Sequence, residues 1–264
     1  MLELSNGDAR LVVLPDNGGR LASLSVGDLE LLRTAADDPG RTHWGAFVMA
    51  PWAGRTRRAR FRFAGAEHHL PRNAGDHAIH GTVRDQPWTI VATGDHSARL
   101  TCAFGERWPF PGHAEHTMTL HHDRLELELA LHADREPMPA IGGWHPWWRR
   151  RLERGEPALL DLPARTMLRR DDDGIATYER LSPVPDGPWD DCFTDLVGPP
   201  RLRWEGALEL TIESDCEYVV VYDEPMDSLC VEPQSAPPDA LNHQPAVAEP
   251  GSPVVVHSSW RWSR

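Results

Sequence analysis

Three short segments hold side chains able to do chemistry. Asn73–Gly81 (NAGDHAIHG) contains Asn73 and His80, Ile141–Trp148 (IGGWHPWW) contains His145, and Val231–Asn242 (VEPQSAPPDALN) contains Glu232. Glu232 follows the apolar run Ser228–Val231. A carboxylate at the inner end of such a run is costly to bury unless it has a partner or a task. Trp144, Trp147 and Trp148 crowd around His145. Flat apolar rings beside polar groups suit sugars, whose C–H faces stack while their hydroxyls hydrogen-bond, so Trp144 is taken as a sugar contact. Taken singly, each segment also fits a structural role.

Other chemistries lack their spacing. The chain has 14 His, in pairs such as His68-His69, His77/His80, His113/His116 and His121-His122, but no HxH with a following Glu and no HExxH. No metal is therefore expected. Neither a GxSxG elbow nor a GxGxxG loop is present, and no cofactor is expected. Every basic residue is Arg, which removes a Schiff-base or phosphate-loop lysine.

The elements that must position these residues read as strands. In Arg124–His132 (RLELELALH), Leu125, Leu127, Leu129 and Leu131 share one face and Glu126 and Glu128 the other, a period of two. Arg58–Phe63, Leu208–Ile212 and Val254–Trp262 alternate in the same way, while Tyr218–Tyr222 (YVVVY) reads as a strand buried on both faces. Gly, Pro and Asp punctuate these runs at short intervals, as in Pro15-Asp16-Asn17-Gly18 and Gly198-Pro199-Pro200. No stretch of 12 or more residues has helical periodicity. The expectation is an all-β fold, a large antiparallel β-sandwich, with one domain over residues 1–264. Arg169–Gly174 (RRDDDG) is expected as a solvated loop.

Composition narrows the partners. The 264 residues carry 40 acidic and 27 basic side chains, a formal charge of −13, which argues against binding to nucleic acid or an anionic membrane. The N-terminus lacks a basic start and an apolar run, and no apolar stretch approaches the ~20 residues of a membrane span. Four scattered Cys without a CxxC pair suit reduced thiols and a cytoplasmic location. A small-molecule partner and a monomer or homodimer are expected.

At this point the chain resembles the aldose 1-epimerases, or galactose mutarotases. Pro51–Phe63 (PWAGRTRRARFRF) is similar to the family's P-x-x-N-R-I…G-x-F-x-F, and Leu70–Gly81 to L-x-x-N…LHG. Phe110-Pro111 with Met118–Leu129 resembles the FPG…T-x-x-Y-x-L…L-x-L hairpin, and Met138–Trp148 resembles P-x-x-x-G-x-H-P-Y-F. Trp189–Phe193 resembles L-D-x-x-F, Glu232–Asn242 resembles E-P-Q-T-x-x-P-D-A-F-N, and Pro250-Gly251 stands before the last strand as in PGE. The ordered set spans roughly residues 10–262.

The resemblance implies a supersandwich that holds a hexose in a cleft and interconverts its α and β anomers. It implies His145 as general acid and Glu232 as general base. It further implies Arg55, His80 and Asp190 as ligands of sugar hydroxyls (Asp191 being the neighbouring alternative), with Asn73 helping to shape the pocket. Gly54 replaces the family's Asn, Thr82 replaces a second Gly, and Trp147-Trp148 replace Tyr-Phe, which leaves the sugar open. An imidazole and a carboxylate of ordinary pKa already have useful protonation states near pH 6–7. Alternatives are a hexose-6-phosphate epimerase with a phosphate clamped by Arg57, Arg58 and Arg60 or by Arg149–Arg151, a glycoside hydrolase using Asp190 and Glu232, and a non-catalytic sugar-binding protein.

Overall fold

Alternating side chains in short runs build two large antiparallel sheets, seen in a computed structural model that describes residues 1–264 apart from Arg41 and Gln244. The larger sheet has 12 strands. Its central order is Arg20–Val26, Ala46–Met49, Gly143–Pro146, Ser228–Gln234, Tyr218–Tyr222, Asp190–Leu196 and Ala164–Arg170. The second sheet has 8 strands, with Gly112–Leu120, Arg124–Ala133, Val254–Ser263 and Leu208–Ser214 at its centre. The fold is thus the expected all-β sandwich.

Period two sets what each face does. Leu125, Leu127, Leu129 and Leu131 are all buried while Glu126 and Glu128 are exposed. One apolar cluster joins the inner faces of both sheets, and the Trp148 ring meets the Trp260 ring edge-on at 4.9 Å across it. Tyr218–Tyr222 is buried along its middle as a two-sided strand requires. Arg58–Phe63 forms a strand only from Arg60; residues 57–59 make a single 3₁₀ turn with Arg58 at φ +52°. Among the described residues no helix is long and apolar enough to cross a membrane.

Two adjacent glycines bring the His145 strand into place. A Cβ on Gly142 would sit 3.0 Å from the Leu129 and Leu131 side chains of the opposite sheet, and one on Gly143 would sit 2.5 Å from the Pro233 carbonyl oxygen. The strand can therefore press against the core and against the Glu232 strand at once.

Candidate active site

The chain places its acid–base candidates side by side. Gly143 pairs with Gln234 in antiparallel register, so two residues further on His145 stands across from Glu232. His145 Nε2 lies 3.2 Å from Glu232 Oε1, and both side chains are buried. Gln234, two residues along and on the same face as Glu232, donates from Nε2 to Glu232 Oε2 at 3.2 Å. On the other edge of the strand His145 pairs with Phe47, whose ring stacks on the imidazole at 4.6 Å.

These groups face a cavity of about 390 Å³. Its wall near His145 is made of His43, Phe47, His80, Arg84 and Trp147. Beside Glu232 it is made of Arg55, Arg170, Asp190 and Asp191. The Trp147 ring stacks on His145 at 5.1 Å, and His80 meets His145 edge-on at 5.1 Å. His80 is held at φ +60° just before Gly81, where a Cβ would fall 1.9 Å from the Ala50 carbonyl oxygen. Only glycine allows that approach, which turns the His80 ring toward the cavity. Arg170 Nη1 donates to Asp190 Oδ2 at 2.6 Å, and Arg55 Nη1 stands 3.9 Å from the same oxygen.

Burial resets the proton chemistry. It pushes His145 down to about 3, helped by the charges of Arg84 and Arg20. It pushes Glu232 well above the ordinary carboxylate range, reinforced by the negative charge of Asp190 and opposed by the Gln234 hydrogen bond and Arg55. The pair is thus driven toward neutral imidazole and protonated carboxyl, sharing one proton. This corrects the sequence-based expectation of near-ordinary pKa values: neither group keeps enough water to hold its charge. Asp190 is also raised by burial, against the pull of Arg170 and Arg55.

Five of the expected site residues converge here: Arg55, His80, His145, Asp190 and Glu232. Asp191 also lines the cavity, and its carboxylate stands 3.6 Å from Arg170 Nε. Two others stand elsewhere. Asn73 is exposed and outside the cavity; its Oδ1 accepts from Ile79 N–H at 2.7 Å and its Nδ2 donates to the Ile79 carbonyl at 3.1 Å. It therefore shapes the wall only through the Ile79–His80 backbone. Trp144 points the opposite way from His145, as alternation along a strand requires. It is buried in the core, and its Nε1–H donates to His116 Nε2 at 3.1 Å. Trp147, in phase with His145, is the cavity's tryptophan.

The arginines first considered for a phosphate clamp stand apart from the cavity. Arg57 is paired with Asp171, Asp173 and Asp239; Arg149 is paired with Asp37 and Glu153. Arg58 and Arg60 border a separate hollow with His69 and Arg72. Arg170 was expected in a solvated loop, yet it ends the strand Ala164–Arg170 and reaches inward. Phe47, Arg84 and Gln234 also belong to the cavity. Only Gln234 carried a sequence signal, its in-phase position two residues after Glu232. The donor atoms of His145, Cys230 and Glu232 lie within 4.8 Å of one another, a grouping that His spacing did not reveal. At Gly54 the family's Asn would have no room, since a Cβ would meet the Pro238 ring at 2.9 Å.

Stacked antiparallel sheets with a polar, ring-walled cleft at the centre of one define the galactose mutarotase-like class of all-β proteins. The aldose 1-epimerase family model matches residues 1–190, and the chain belongs to that family. The matched range holds Arg55, His80, His145 and Asp190; Glu232 lies beyond it. The chain is 27% identical over 220 residues to the uncharacterized protein YihR of Escherichia coli (strain K12), covering 74% of this chain and 71% of that one. Its fold is similar to a galactose mutarotase-like protein from Clostridium acetobutylicum (TM-score 0.86, 16% identity, 99% and 94% of the two chains). It is also similar to a galactose 1-epimerase from Lactobacillus acidophilus NCFM (TM-score 0.83, 17% identity, 99% and 93%).

Proposed function

We propose that the chain is an aldose 1-epimerase that interconverts the α and β anomers of a hexose by opening and reclosing its ring. The observation that carries this reading is the 3.2 Å contact between His145 and Glu232 at the cavity. O1 and the ring oxygen O5 are both borne by C1, so a base and an acid serving them must converge on one point. Two groups on neighbouring strands, 3.2 Å apart, do that.

For ring opening the pair's one proton first passes from Glu232 to His145 across their 3.2 Å contact; Glu232 then takes the proton of O1–H while His145 gives one to O5. The C1–O5 bond breaks and the O1 lone pair becomes the carbonyl of an open-chain aldehyde. Rotation about C1–C2 presents the other face. Glu232 then returns its proton to O1 as O5 attacks C1 and yields its proton to His145. The pair holds a single proton before O1–H is attacked and a single proton after, moved from imidazole to carboxyl. Burial favours the neutral pair, the form of both the free site and the aldehyde complex, so the ion pair that opens the ring is the short-lived form between them. Each partner in such a transfer typically contributes about 10²–10⁴-fold.

Trp147 and Phe47 offer apolar faces, and Arg55, His80, Asp190 and Gln234 offer hydroxyl partners. The buried His80 Nδ1 and Gln234 Oε1 have no hydrogen-bond partner among the described residues, which suits a ligand rich in hydroxyls. We place the protein in the cytoplasm, in keeping with four free cysteines, and read it as one domain. Anomer exchange measured by NMR on glucose and galactose tests the reading. Saturation transfer between anomers no faster than in buffer would remove it.

A further inference from the structure

Among the described residues, Arg84 is the arginine of the cavity that no carboxylate pairs within 4.0 Å. No hydrogen bond and no carboxylate within 4.0 Å engages its guanidinium among the described residues, although it lines the cavity and is only partly exposed. The acid next to it in sequence is taken: Arg107 donates to both carboxylate oxygens of Asp85. By contrast Arg170 is bound to Asp190, and Arg55 leans on the same carboxylate. Arg84 instead stands over the Phe47 ring at 5.7 Å, and Phe47 stacks on His145. Its charge reaches His80 and His145, helping to keep both imidazoles neutral. An unpaired guanidinium drawn partly out of water costs free energy that an anion would recover.

The chemistry fixes which atom of the sugar this end of the cavity meets. This step rests on the epimerase reading. His145 serves O5, and O5 joins C1 to C5, which bears C6. The group on C6 therefore falls on the His145 side, away from Asp190. One unpaired guanidinium supplies one charge and a two-pronged N–H fork. A phosphate dianion would call for a second free cation, and Arg55 and Arg170 are already committed. We propose that the cavity takes an aldose whose C6 carries a singly charged oxyanion, a carboxylate or a sulfonate, and that Arg84 binds that group through both prongs of its fork.

The test is anomer exchange by NMR with the whole chain at pH 7 on four sugars: glucose, glucuronate, 6-deoxy-6-sulfoglucose and glucose 6-phosphate. We expect kcat/KM for one of the two monoanionic sugars to exceed that for glucose by about 10- to 100-fold, the range of a charge-assisted bidentate contact. In Arg84→Gln the ratio of monoanionic to neutral sugar falls to near one; in Arg84→Lys part of it survives. Which monoanion leads tells carboxylate from sulfonate. Glucose equal to or better than both, glucose 6-phosphate best of all, or an unchanged ratio in Arg84→Gln would each overturn the proposal. If no sugar exchanges, the epimerase reading fails by itself. Calorimetry with glucuronate and the sulfonate then judges Arg84: binding that Arg84→Gln abolishes supports its role, and no binding refutes it.

Discussion

The shared proton makes a sharp statement about pH. The epimerase needs one proton on the His145–Glu232 pair. Acid disables it by adding a second, on the imidazole; base disables it by removing the last, from the carboxyl. His145 is pushed down to about 3 by burial, so at pH 5 only about 1% of the enzyme carries the extra proton. An imidazole of ordinary pKa near 6.5 would leave about 3% in the working form at pH 5, a roughly 30-fold loss of rate. Glu232 is raised by burial and by Asp190, so the basic limb lies well above the ordinary carboxylate range. The expected kcat/KM for anomer exchange is therefore flat from pH 5 to pH 6.5, measured by NMR with buffer catalysis subtracted. An acid limb centred near 6.5 would refute the claim that the free site keeps His145 neutral, and with it the one-proton account of the pair.

Other outcomes follow from the same geometry. Glu232→Gln and His145→Gln should each slow anomer exchange by about 10²–10⁴-fold while circular dichroism stays that of the folded chain; a near-wild-type rate in either would end its role. Trp147→Ala should raise KM by about 10-fold or more, whereas Trp144→Phe should keep the exchange rate and lower the unfolding free energy by about 1–3 kcal/mol, since it strands the buried acceptor His116 Nε2. Urea titrations that ranked the two tryptophans the other way would contradict the facing assigned to them. His116 is buried and pushed down to about 3, a depressed native pKa, so its stabilising share is complete above 6.5 and drains away as pH falls toward 3. Between pH 7 and pH 5 that loss is about 2 kcal/mol, and His116→Gln, which keeps an acceptor for Trp144, should remove it from the pH dependence of urea unfolding.

What could be read from the residues, and what could not, divides along one physical line. Period two needs no tertiary information, so the leucines of Arg124–Ala133 announced both their strand and their buried face. The same rule, applied to Ile141–Trp148, separates Trp144 from His145 and Trp147; the error of taking Trp144 as a sugar contact came from counting neighbours in sequence instead of alternating them. Asn73 exposes a different limit: a polar residue in a loop motif can serve the site by holding backbone, here that of Ile79, with no atom in the cavity. Arg84 and Arg170 lay beyond sequence reasoning altogether. Whether an arginine is a solvated charge or a cavity wall depends on which carboxylates the fold brings to it: Asp190 for Arg170, and for Arg84 none within 4.0 Å among the described residues. The pKa values failed for a related reason. A residue type carries its pKa in water, but the shift comes from the water removed and from Asp190, Arg84 and Arg20 gathered from separate strands and loops. The sheet thus makes the site twice over. Register sets His145 against Glu232, and burial by the surrounding strands then decides which of the two holds their proton.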